Sequence, residues 1–171
     1  MDLLIPVDST DHALGPDNAP VTLVEYGDYE CPHCGQAYPI IKRLKATLGD
    51  RLRVVYRHFP QNSVHPHASV AAQAAEAAHA QGKFWAMHDQ LFEHQTDLAD
   101  DLTAYAIRAG LEIYKFQADL SSERYARKVR SDYEGGVRNG VHKTPTIFLN
   151  GGGYSGPLEY EAILAAIQKL L

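Results

Sequence analysis

Apolar positions along this chain follow two periods, and their order predicts an α/β architecture. Val21-Thr-Leu-Val-Glu-Tyr26 and Leu52-Arg-Val-Val-Tyr-Arg-His-Phe59 are β-branched and aromatic runs that predict buried strands, the first opened by Asn18-Ala-Pro20 and the second stopped by Pro60. From Cys31 to Leu48 the period changes. Tyr38, Ile41, Leu44 and Leu48 share a helical face, Pro32 suits the first turn, and Gly49-Asp50 ends the helix. Strand, helix and strand at this spacing predict a right-handed βαβ unit with parallel strands.

A long helical stretch follows. Ala68 to Ala80 is alanine-rich, with high helix propensity and small side chains that let helices approach closely, and Gly82 interrupts it. Phe84 to His94 carries Trp85, Met87, Leu91 and Phe92, and Leu98 to Ala109 repeats Leu98, Leu102, Tyr105 and Ala109 before Gly110. Ser122-x-x-Tyr125 predicts a further helix with Tyr125, Val129, Tyr133 and Val137 at four-residue steps, its end weakened by Gly135-Gly136. Strand character returns at Thr146-Ile-Phe-Leu-Asn150, then a Gly151-Gly-Gly153 turn and an edge strand at Tyr154-Ser155. A last helix restarts at Gly156-Pro157, with Tyr160, Ile163, Leu164, Ile167 and Leu171 on one face. The expected order is β-α-β, helical block, β-β-α. The terminal parts must pack together to make a sheet, so the block is an insertion between the second and third core strands of one domain spanning 1–171. The expected core is 15–62 and 140–171, with the helical insertion at 63–139.

Composition narrows the function classes. The 171 residues are 45% hydrophobic and 22% charged, as in a globular protein, and carry a net charge of −5, which leaves no basic footprint for nucleic acid. No apolar run is long enough to span a membrane. Met1 to Asp11 contains Asp2 and Asp8 and no basic n-region, so the expected location is cytoplasmic, or periplasmic or otherwise extracytoplasmic if a signal peptide has been removed.

The chemistry concentrates in Cys31-Pro32-His33-Cys34, which holds both cysteines of the chain. Two sulfurs three residues apart can close a small-ring disulfide, and a core of this size needs no disulfide staple, so redox or metal chemistry remains. Cys31 sits where a strand gives way to a helix. Free N–H groups and the helix dipole favour a thiolate there, so Cys31 is the expected attacking sulfur and Cys34, in the third helical position, the resolving one. A cationic His33 would lower the Cys31 pKa further, while Glu30 opposes it and is expected to be exposed and screened. Glu25 interrupts an apolar strand six residues before Cys31. Either it is buried under the cysteines, with a raised pKa and a proton to exchange with Cys34, or it points to solvent from an edge. Pro145 in Thr144-Pro145-Thr146 directly precedes an apolar strand, and on composition alone a trans bond is the default.

These residues resemble the DsbA-like thiol–disulfide oxidoreductases. Val24-Glu-Tyr-Gly-Asp-Tyr-Glu-Cys-Pro-His-Cys34, Tyr56-Arg-His-Phe-Pro60, His65-Pro-His-Ala68, Gln81-Gly-Lys-Phe-Trp85 and Gly140-Val-His-Lys-Thr-Pro-Thr-Ile-Phe-Leu-Asn-Gly151 all look like that family, from about Gly15 to the C-terminus. The resemblance implies a thioredoxin-like fold with a helical insertion, a cis Pro145 facing the cysteines, and Thr144 beside Cys31, where its backbone pairs with an extended substrate peptide. It also matches Glu25 to the family's buried acid. The implied activity is disulfide exchange with protein or peptide thiols through Cys31-Pro32-His33-Cys34, without metal or organic cofactor, with a redox-recycling partner, in a monomer. Direction is open, since oxidase, isomerase or reductase depends on potential.

Three rivals remain. C-x-x-C with His58, His65 and His67 is a zinc alternative, although no second half stands at finger spacing. A kappa-class glutathione transferase or isomerase shares the inserted fold but needs no resolving cysteine, and Cys34 argues against it. A non-catalytic redox-sensing, protein-binding module would use the same groove. His65-Pro-His67 reads as a turn, and Phe84, Trp85 and Met87 read as core.

Overall fold

Two parallel strands buried on both faces form the spine of the sheet. In this computed structural model, which describes residues 1–99 and 101–171, β2 (Val21–Gly27) and β3 (Leu52–His58) run parallel in a register from Val21 opposite Leu52 to Gly27 opposite His58. Their apolar, β-branched composition suits a strand covered on both sides. Helix α1 (Pro32–Leu48) makes the crossover. β4 (Thr146–Leu149) pairs antiparallel with the free side of β2, from Leu23 opposite Leu149 to Tyr26 opposite Thr146. β1 (His12–Leu14) lies antiparallel on β3, and β5 (Gly152–Gly153) antiparallel on β4, so the sheet order is β1-β3-β2-β4-β5.

The helical insertion runs between β3 and β4. It comprises α2 (Ala68–His79), α3 (Phe84–Glu93), a 3₁₀ turn at Gln95–Asp97, α4 (Thr103–Arg108), α5 (Ile113–Ser121) and α6 (Ala126–Arg138), and α7 (Tyr160–Gln168) follows the sheet. Three apolar clusters hold these layers. Ile163 and Ile167 of α7 join Ile41 and Leu44 of α1 against one sheet face, and Val24, Tyr26, Val55, Phe59 and Phe148 cover the other. The alanines of α2 pack with Phe84, Met87, Leu91 and Phe116 inside the helical cap. Tyr29, Tyr56, Cys31 and Cys34 belong to that cap cluster, so both cysteines lie on the seam between sheet and insertion.

Several elements differ from expectation for local reasons. The helix expected from Leu98 to Ala109 begins at Thr103, whose N–H is accepted by the Asp101 carboxylate, while Leu98 and Leu102 are still buried; Asp100 lies outside the described residues. Helix α5 carries only Phe116 and Asp119 buried, too few for a visible stripe, and is started by Glu112, whose carboxylate accepts the N–H groups of Tyr114 and Lys115. The last helix starts at Tyr160 rather than at Gly156-Pro157, because Glu159 is still extended. The edge strand is Gly152–Gly153 rather than Tyr154-Ser155. Gly135 and Gly136 sit inside α6, not at a frayed end. A Cβ at Gly136 would stand 2.6 Å from the Phe59 ring, so the missing side chain lets the helix settle on the sheet.

Candidate active site

The cysteine motif begins where β2 ends. Cys31 is the N-cap of α1, extended at φ −74° and ψ 121°, and Pro32 takes the first helical position, where its missing N–H leaves no bond unmade. Cys34 is therefore the third helical residue, fully buried, while Cys31 is 4% exposed; both are free thiols. The Cys31 pKa falls to about 4. A hydrogen bond from the Cys34 side chain is the main cause, with Thr144 and the backbone N–H groups of Cys34 and His33 adding to it against the cost of burial. Burial pushes the Cys34 thiol well up, although the Asp28 N–H approaches its sulfur at 3.4 Å. The pair is thus electrostatically asymmetric, with an easily ionised outer sulfur and a protonated inner one.

His33 is exposed, and its contribution to the thiolate is a backbone N–H rather than a buried imidazolium. Glu25 lies on the central strand at 3% exposure, with Oε1 unpartnered, and burial together with the nearby Cys31 charge pushes its carboxyl up to about 8. It borders a cavity of about 50 Å³ shared with Tyr56, Lys42, Trp85, His88 and Asp89, room for a water molecule or two. The Thr144–Pro145 peptide is cis, and the Cys31 sulfhydryl lies 3.4 Å from the Thr144 carbonyl oxygen. Beside them a cavity of about 470 Å³ opens along His33, His142, Lys143, Thr144, Pro145 and Tyr154.

The frame around the motif includes residues that sequence reasoning did not single out. Asp28, 2% exposed, accepts the N–H groups of Glu30 and Gln61 and pairs with His65 Nδ1, each at 2.8 Å. Gln95 donates its amide to the carbonyls of Tyr29 at 2.9 Å and Cys31 at 2.7 Å. A Cβ at Gly35 would run into the Gln95 amide and push it off those two carbonyls, so the bare glycine leaves room for this brace. None of these three belongs to a periodic pattern; the one signal at Asp28 is a carboxylate directly after a buried strand. Glu30 is not free and screened as expected, since it accepts the His67 N–H at 2.6 Å and pairs with His67 Nδ1 at 2.8 Å. The zinc alternative finds no convergence of its histidines on the cysteines. His65 turns to Asp28, His67 to Glu30 and His58 to Glu76.

Known proteins place this arrangement in a family. The family model described as thioredoxin matches residues 8–169. The chain superposes on oxidised BdbD from Bacillus subtilis with a TM-score of 0.84 at 26% identity, covering 96% of this chain and 95% of that one. It superposes on alpha-DsbA1 from Wolbachia pipientis with a TM-score of 0.82 at 21% identity, covering 98% and 94%. A curated relative, the Na(+)/H(+) antiporter NhaA 1 of Salinispora arenicola, is 47% identical over 169 residues, covering 98% of this chain. The chain spans only 26% of that relative's length, so the antiporter name describes a much longer protein. A cysteine pair at the mouth of α1, a helical insertion between β3 and β4, and a family match over nearly the whole length agree that the chain belongs to the thioredoxin family, with the DsbA-like form of its fold.

Proposed function

We propose that the chain is a thiol–disulfide oxidoreductase that accepts electrons from protein or peptide thiols. The observation that carries this reading is the split between the two sulfurs, with Cys31 ionised near pH 4 and Cys34 kept protonated by burial. In the oxidised form a substrate thiolate attacks Cys31 Sγ, the Cys31–Cys34 bond breaks, and Cys34 leaves with the electron pair. Cys34 needs a proton as it leaves, and Glu25, a neutral acid at pH 7 on a small cavity, is the group suited to relay one. A second substrate thiolate then attacks the substrate sulfur of the mixed disulfide and expels Cys31 as its stable thiolate. Two electrons have passed from substrate to protein, and no organic cofactor or metal is needed to hold them. Stabilising the reduced form makes the disulfide a stronger oxidant, which favours oxidation of substrates over reduction and calls for a partner that reoxidises the pair. The trough along Thr144 and Pro145 suits an extended peptide paired to the Thr144 backbone.

The test is a pair of substitutions in an oxidation assay on a reduced dithiol peptide. Cys31→Ser abolishes exchange and traps nothing. Cys34→Ser, given the same peptide in its disulfide form, accumulates a mixed disulfide as the Cys31 thiolate attacks that bond and frees the peptide's second thiol, visible by mass spectrometry. Adducts on Cys34 in the Cys31→Ser protein would reverse the assignment, and undiminished turnover in either variant would end the oxidoreductase reading.

A further inference from the structure

Away from the cysteines, three elements each send a metal-ligating side chain to one buried point. His12 Nε2 of β1 lies 2.5 Å, and His58 Nε2 of β3 2.7 Å, from the same Oε1 of Glu76 on α2. The three residues are 4%, 1% and 3% exposed, and their ligand atoms all lie within 4.8 Å of one another. We propose that His12, His58 and Glu76 form a structural site for a divalent transition metal of the zinc type, fastening the edge strand and β3 to the helical cap. Two imidazole nitrogens and one carboxylate oxygen are a zinc ligand set, and tetrahedral coordination leaves a fourth position for water or another donor. At metal–ligand distances of ~2.0–2.2 Å tetrahedral ligand atoms stand ~3.3 Å apart, so each imidazole–carboxylate separation opens by less than ~1 Å on loading.

The rival is a plain hydrogen-bonded triad in which both rings donate to Oε1. One observation favours a cation. Among the described residues no lysine or arginine pairs with Glu76, so a carboxylate buried this deeply has no fixed counter-charge, a costly arrangement that a divalent ion relieves. The site also has an aromatic wall that reaches the surface. Phe84 stacks on the His12 ring at 3.6 Å, and exposed His79, three residues after Glu76 on α2, meets the same ring edge-on at 4.6 Å, linking the cluster to the surface. Zinc-finger spacing is absent from the sequence because positions 12, 58 and 76 come together only in the fold.

The decisive measurement uses the full chain with its cysteines oxidised, so that no thiolate competes. Titration with Co(II) is expected to show one equivalent bound, with tetrahedral d–d bands, no thiolate charge-transfer band, and displacement by Zn(II). Histidine NMR signals of His12 and His58 shift on adding zinc, while those of His65 and His67 stay. Glu76→Gln and His58→Gln weaken binding by at least ~100-fold, more than the 10–100-fold typical of losing an outer partner. Failure of the oxidised chain to bind cobalt or zinc, or unchanged binding in a folded Glu76→Gln protein, overturns the site. Should these variants not fold, the NMR shifts in the unaltered chain decide. Shifts at other histidines refute the assignment.

Discussion

Glu25 and Cys31 perturb stability in opposite senses, which makes each testable by pH. Burial, with the Cys31 charge beside it, pushes the Glu25 carboxyl up to about 8 in the folded chain, against an ordinary value of 4.5. The folded state therefore holds that proton more tightly, and the contribution is stabilising below pH 4.5 and lost as pH rises through 8. Cys31 is depressed to about 4 from 9.0, so its contribution to the reduced form is present above pH 9 and lost as pH falls through 4. Working with the oxidised protein removes the thiol and isolates the carboxyl. There the Cys31 charge no longer adds to the effect of burial, so Glu25→Gln is expected to gain stability over the parent as pH rises from about 4.5 and to level off before pH 8, by a few kcal/mol at most, read from urea midpoints. Parallel curves would mean Glu25 ionises like a surface acid. At this scale the cysteines were plain in the sequence, since spacing alone marks them. Glu25 stood out as a charge within an apolar strand, but whether it faced inward was open. Gln95 and Gln61 were invisible and Asp28 left only the trace of a carboxylate after a buried strand, because their work is to satisfy backbone groups of loops whose paths appear only in three dimensions.

At the scale of elements, periodicity located the long helices well and the short ones poorly. The buried stripe of α1 is Cys34, Ala37, Ile41, Leu44 and Leu48, close to the face expected, with Tyr38 turned to hydrogen-bond Asp89 and Glu93 of α3. β1 escaped notice because His-Ala-Leu has no β-branched residue and is only three residues long. Gly135-Gly136 was misread as a weak helix end, since glycine disfavours helix by ~1 kcal/mol relative to alanine. The packing reverses that judgement. Phe59 is 2% exposed and stacked on Tyr133 at 4.5 Å, so it has no room to yield to a new methyl group at Gly136. Overpacking costs ~1–3 kcal/mol and outweighs the propensity gain. Gly136→Ala is expected to destabilise the chain by about 1–2 kcal/mol in chemical denaturation, and a stabilised variant would show that α6 shifts freely on the sheet.

For the whole molecule, the N-terminal segment is part of the fold rather than a tail. Arg57, 4% exposed on β3, holds Asp11 through two charge-assisted hydrogen bonds of 2.7 and 2.8 Å and donates to the carbonyls of Ile5 and Pro6 and to the Tyr26 hydroxyl. Asn139 accepts the N–H groups of Leu4 and Ile5, and Leu3 donates to Gly151. The segment thereby clasps α6, β3 and the β4–β5 turn. Removing one partner of a buried ion pair strands the other charge, which costs ~3–5 kcal/mol. Asp11→Ala is expected to lose stability on that scale and to expose the segment to limited proteolysis. A loss below ~1 kcal/mol would place Arg57 in contact with water. Whole-molecule architecture was legible as far as βαβ, helical block and closing strands. The resemblance added the inserted thioredoxin form.

Local chemistry was enough to mark the cysteine pair, the parallel strands beside it and the principal helices, because spacing and period are properties of neighbouring residues. The cap over the motif, the depth of Glu25, the Asp11–Arg57 clasp and the meeting of His12, His58 and Glu76 all join positions far apart along the chain. Such joins depend on how layers stack and where backbone groups are left without partners. No one-dimensional pattern carries that information, and folding supplies it.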